Sequence, residues 1–116
     1  MATRMILPYP PSVNHYWLRN RNGSVRISDA GLAFREEVAY VCRQKRIKRA
    51  LGRLEVRIAV NPPDARRRDL DNVLKALLDA LQHAGAYEDD SQIDRILIER
   101  FTAVYRGQVD VTITER

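Results

Sequence analysis

The stretch Arg66-Arg67-Arg68-Asp69-Leu70-Asp71-Asn72 sets three guanidinium groups directly against two carboxylates, and Lys75 follows four residues after Asp71. Carboxylates with no cysteine or histidine beside them suit hard, oxygen-seeking cations such as Mg2+. Such a cation lowers the charge on a phosphodiester and activates water. A nearby ammonium stabilises the negative charge of the transition state, and arginines grip flanking phosphates through their planar forks. The combination fits phosphodiester hydrolysis. A plainer account competes for the same residues: a capping aspartate, an ion-paired helix face and a solvated acidic turn.

Spacing decides how these groups can meet. Carboxylates at i and i+2 lie on opposite sides of an ideal helix. Asp69 and Asp71 therefore converge only if Asp69 stands at the junction of loop and helix, where a capping residue has extended dihedrals. Asp71 and Lys75 are i and i+4, on one helix face, and Asn72 neighbours both Asp69 and Lys75 at three-residue spacing. A second acidic cluster, Glu88-Asp89-Asp90, follows the far end of that helix. A 15-residue helix is roughly 22 Å long. Either the strand starting near Ile93 brings these acids back to Asp69 and Asp71, or a second subunit supplies them.

The elements that must hold these groups can be read from hydrophobic period. Residues 3–8 form a first strand, which the prolines of "PYPPS" end. Asn22-Gly23 marks a turn, with a short strand over Val25 to Ile27. Ser28 caps a helix running to about residue 46, with Leu32, Val38, Val41 and Cys42 as its apolar stripe. Leu54, Val56, Ile58 and Val60 alternate as a strand with one buried face. A second helix spans about 69–84, with Leu70, Val73, Leu74, Leu77, Leu78 and Leu81 on its apolar side and Gly85 closing it. Strands follow over Ile93 to Val104 and, after an Arg106-Gly107 turn, over Val109, Val111 and Ile113. The expected class is α+β, in the order β-α-β-α-β-β, with two helices packed on a small mixed sheet.

Length and charge bound the rest. A chain of 116 residues is expected to be a single domain over 1–116, burying roughly two-thirds of its unfolded surface. The hydrophobic content of 45% is globular rather than disordered. No apolar run reaches membrane-spanning length and a single cysteine, Cys42, excludes an internal disulfide, so a cytoplasmic protein is expected. The net charge of +5, largely arginine, makes a polyanion a reasonable partner. The stretch Arg43 to Arg53 holds six basic residues and no acid, which serves equally as a solvated helix end or as a phosphate contact. His15 and His83 lack partners at metal-ligand spacing, and Cys42 reads as a buried bystander. Tyr16 and Trp17, after the proline break, either stack on unpaired bases or pack under the loop.

"RRRDLDNVLKALLDAL", then "GAYEDDSQI", behind the opening "LPYPPSVNHYW", resembles the RusA family of Holliday junction resolvases, small endonucleases often carried by prophages. The likeness covers three blocks spread along most of the chain. It implies a Mg2+-dependent homodimer that binds four-way junction DNA and makes paired symmetric nicks in recombination and repair. The family's essential acids fall on Asp69, Asp71 and Asp90, and its essential lysine on Lys75. Asp89 stays open as a substitute for Asp90. Arg66, Arg67 and Arg68, with Asn14, Asn72 and Tyr16, are expected to contact DNA. Two other functions compete: a basic nucleic-acid-binding module without catalysis, and a Mg2+-dependent nuclease for other branched DNA.

Overall fold

Alternation of apolar and polar residues builds the sheet. In β1 (Ala2–Pro8) Met5 and Leu7 are buried while Arg4 and Ile6 are exposed. β4 (Leu54–Asn61) buries Leu54, Val56, Ile58 and Val60, and β6 (Gln108–Glu115) buries Val109, Val111 and Ile113. With a side-chain period of two, each set shares one face. The register joins them, since Val111 of β6 pairs with Met5 on one side and with Ile58 on the other, both antiparallel. β5 (Ile93–Arg100) lies parallel to β4 at the edge, so the strand order is β1-β6-β4-β5. These features come from a computed structural model that describes residues 2–116.

A parallel pair needs a crossover. Residues 62–92 supply it and carry α3 (Leu74–His83), preceded by a 3-10 turn over Leu70–Val73. Ala76, Leu77, Ala80 and Leu81 bury one side of α3. Its chain exit is Gly85 at φ +83°, a left-handed conformation that glycine adopts without a Cβ penalty. α2 (Asp29–Gln44) begins at Ser28, whose Oγ accepts from the Gly31 N–H at 2.9 Å. Its buried stripe is Gly31, Phe34, Val38 and Cys42. Leu32, expected inward, is 45% exposed, and Phe34 takes its place. Both helices contribute to one apolar cluster with the inner face of the sheet. The opposite face carries ion pairs instead: Arg4 with Asp110, and Glu55 with Arg57 and Arg95.

The α+β class and the mixed sheet agree with expectation, but the order β-α-β-α-β-β is not matched element for element. Between β1 and α2 stand two elements beyond those expected, α1 (Val13–Tyr16) and β2 (Trp17–Arg19), the latter pairing across the expected Asn22-Gly23 turn with the expected short strand, β3 (Val25–Ile27). β2, at three residues, is too short to show alternation, and unlike β3 it has no turn signal directly before it. These elements seat against α2 at Gly31, where an added Cβ would meet the Tyr16 carbonyl oxygen and Ile27 Cγ1 at 2.7 Å. The strand expected to reach Val104 stops at Arg100. Phe101 and Val104 still donate backbone N–H groups to the Val60 and Pro62 carbonyls, at 2.8 and 2.9 Å, beyond the regular ladder.

Candidate active site

Asp69 has extended dihedrals, φ −86° and ψ 137°, and immediately precedes the 3-10 turn that holds Asp71 and Asn72. This is the backbone condition under which an i, i+2 pair of carboxylates can share a side. Asp69 does not spend its carboxylate on capping that turn. Asp69, Asp71, Asn72 and Lys75 are all exposed. Among the described residues, none of the ion pairs involves Asp69, Asp71 or Lys75, so the helical pairing open to Asp71 and Lys75 is not made.

The second acidic cluster separates into two roles. Asp89 caps the turn over Asp90–Gln92: its carboxylate accepts from the Ser91 N–H at 3.0 Å, while Gln92 Oε1 accepts from the Glu88 and Asp89 N–H groups at 2.8 Å each. Those bonds from Ser91 hold the Asp89 carboxyl below its ordinary range. Asp90 is free of capping duty. Its backbone N–H donates to Gln82 Oε1 at 3.1 Å, which seats it beside the later turns of α3. Loss of hydration pushes the Asp90 carboxyl up; the Tyr87 hydroxyl opposes this, and the negative charges of Asp89 and Asp79 add to it. Tyr87 is wholly buried beneath, donating its hydroxyl to the Leu78 carbonyl at 2.6 Å. Its phenol is pushed far up by burial and then by Asp90. Among the described residues no three acids, histidines or cysteines stand close enough together to hold one metal ion. Within one chain, then, Asp90 does not complete a metal cluster with Asp69 and Asp71.

The family model for endodeoxyribonuclease RusA matches residues 8–114, which include every one of these positions. The crossover junction endodeoxyribonuclease rusA of Enterobacteria phage HK97 is 45% identical over 97% of this chain and 93% of its own length. The phage 82 protein of the same name is 40% identical, and that of Escherichia coli strain K12 39%, each over 94% of this chain and 91% of its own. This chain belongs to the RusA family. The resemblance carried by the arginine–aspartate stretch, the Asp89-Asp90 pair and the proline opening is thereby borne out, and with it the enzyme class.

In this RusA-family chain the remaining expected contacts fall into distinct places. Arg66 and Arg67 are exposed, with Arg66 only 3.6 Å from Asp64. Arg68 is turned inward, donating to Asp64 Oδ1 at 2.6 Å and lying over the Tyr9 ring at 5.9 Å. Arg68 thus fastens the loop that presents its neighbours. Asn14 is exposed on α1 and lines a groove with Lys75. Tyr16, expected at the DNA surface, is instead fully buried, because its hydroxyl finds a charged partner inside the protein. It donates to the Asp79 carboxylate, which also accepts from Arg35 Nη2 at 2.8 Å, and Arg35 Nε donates to the phenol oxygen at 3.0 Å. Burial, then the bond to Asp79, pushes the Tyr16 phenol up to about 12. Asp79, Arg35 and Tyr87 were not singled out from the sequence. Asp79 continues the Asp71, Lys75 spacing by another four residues, and Asp89 to Gln92 spells a capping box; both signals were there to be read.

Proposed function

We propose that this RusA-family chain is a Mg2+-dependent endonuclease that resolves four-way DNA junctions by paired nicks, acting as a homodimer in recombination and repair. One observation carries the reading beyond family membership. Asp69, Asp71 and Lys75 are exposed and, among the described residues, take no part in the ion-pair network, although Asp64, Arg66 and Arg68 just before them in the chain do. Charged groups left unpaired in a chain this rich in partners are available for substrate.

The donor set is oxygen only, which fits a hard cation. Asp69, Asp71 and Asp90 would hold it. When bound, Mg2+ lowers the charge on the phosphodiester and activates water. Lys75 stabilises the charge that develops on the scissile phosphate. Arg66 and Arg67 neutralise the flanking phosphates, while Arg68 keeps their loop in place. Asn14 and Asn72 offer amide groups near the same strand. Because no three acids of one chain stand close enough together to hold a metal ion among the described residues, we assign Asp90 to a site completed by a second copy. Two equivalent sites related by a two-fold axis match the two strands cut at a four-way junction.

The test is incubation with labelled four-way junction, linear duplex and flap, with and without Mg2+. Paired nicks confined to the junction and dependent on Mg2+ are expected, and Asp71→Asn is expected to bind the junction without cutting it. Cutting of the flap but not the junction would replace this reading with a nuclease for other branched DNA.

A further inference from the structure

A groove of about 690 Å3 opens beside Lys75, between the start of α3 and the β2–β3 hairpin. That is the size of a small-ligand site. Trp17, Leu18 and Val25 give it an apolar lining, Asn14 contributes an amide, and Arg19 and Lys75 bring positive charge. Two of its apolar residues are conspicuously wet: Leu18 is 39% and Val25 56% exposed. Exposed Arg21 and Arg26 add charge to the same hairpin.

Trp17 is held before any ligand arrives. Its ring meets the buried Tyr16 ring edge-on, with centroids 5.1 Å apart at 80°. The Arg35 guanidinium lies 5.9 Å from both ring centres. Tyr16 and Arg35 are in turn bonded to Asp79 on α3. The indole is thus a fixed aromatic surface tied to the helix that carries Lys75. Trp17 is half-buried, packed on the core and lining the groove.

An apolar slot with an aromatic wall and a cationic rim matches one molecular class in particular: a nucleotide, with a base that stacks and a phosphate that needs a cation. Because Lys75 belongs to both the groove and the proposed chemistry, the geometry points to a subsite for a single unstacked nucleotide of the strand being cut, next to the scissile phosphate. There the base lies against Trp17, between Leu18 and Val25, and the Asn14 amide meets its hydrogen-bonding edge. This subsite rests on the endonuclease reading above. It adds a base-binding position that none of the charged residues supplies.

The experiment combines substrate and protein changes. Junctions carrying one abasic site at each nucleotide within three of the cut are cleaved under single-turnover conditions with saturating protein and Mg2+. At one position flanking the cut, the missing base should slow the wild type by about tenfold or more. The same abasic site should leave Trp17→Ala nearly unaffected relative to its own rate on the intact junction. Should Trp17→Ala fail to fold, Val25→Trp serves: it fills the groove from an exposed position and should likewise erase the abasic penalty. Equal abasic penalties in wild type and variants at every position overturn the subsite while leaving junction cleavage standing. A wild type that does not cut the intact junction overturns the endonuclease reading and the subsite with it.

Discussion

Lys75 stands at the spacing of an ordinary helical ion pair with Asp71, yet the two remain apart. An exposed pair of that kind is worth only about 0.3–0.5 kcal/mol. A cation at a developing phosphate charge is worth far more, so the two roles separate by size. Lys75→Ala is expected to fold and to bind junction DNA near normally but to cleave it about 10²-fold more slowly or worse in a single turnover with saturating Mg2+. A rate within a few-fold of wild type would reduce Lys75 to a surface residue. The three neighbouring arginines also divide. Arg66→Ala and Arg67→Ala should each lower the salt dependence of junction binding by about one unit of slope in a titration of affinity against salt. Arg68→Ala should act through the loop it fastens. That division was invisible in the run of three like residues, because it depends on where Asp64 and Tyr9 lie in space.

At the scale of elements, the loop before α3 has its own acid dependence. The Arg68 guanidinium, then the Arg66 N–H, holds the Asp64 carboxyl down to about 2. An unfolded aspartate titrates near about 3.9, so the loop's contribution is fully present above about pH 4 and is lost as pH falls through about 2. Asp64→Asn should flatten the acid limb of the stability curve in that window, measured by urea unfolding at stepped pH. The clamp between α1, α2 and α3 predicts a graded series. Tyr16→Phe removes one hydroxyl and leaves Asp79 its arginine, costing about 1 kcal/mol. Arg35→Met leaves a part-buried carboxylate short of its cation and should cost more, about 2 kcal/mol. Thermal unfolding of the pair should show that order. Local signals made Ser28, Gly85 and the alternation of β4 legible, since each depends on near neighbours in the chain. Tyr16 was not legible, because its partner Asp79 lies 63 residues away. The extended backbone at Asp69 could be foreseen from the i, i+2 spacing, whereas the seating of Asp90 against Gln82 and Tyr87 depends on how the chain returns to α3.

The whole molecule carries a net charge of +5, but its acids are not spread evenly among its cations. The outer face of the sheet pairs Arg4, Arg57 and Arg95 with Asp110 and Glu55. The loop before α3 and the β2–β3 hairpin keep Arg66, Arg67, Arg19 and Arg21 exposed. Those are the surfaces that a polyanion would find first. If a second copy completes each site, sedimentation at working concentration should give twice the mass of the 13.4 kDa chain, and dilution below the dimer dissociation constant should abolish cleavage. Paired nicking by a species that remains monomeric would contradict the assignment of Asp90 to a shared site.

β6 lies inside the sheet although it is translated after the other described elements, and among the described residues β1 has no other strand neighbour: its ladder, from Ala2 opposite Thr114 to Pro8 opposite Gln108, is made wholly with β6. At about 5–20 residues per second, the first strand waits on the order of ten seconds for its partner, with Met5 and Leu7 lacking their β6 neighbours until then. Contacts so distant along the chain also make folding slow once the partner exists. The apolar bed on which α3 rests is therefore unfinished while the chain is still on the ribosome. A growing nuclease of this design is expected to stay harmless to nearby DNA until β6 has been made, and to need protection from aggregation during the same interval.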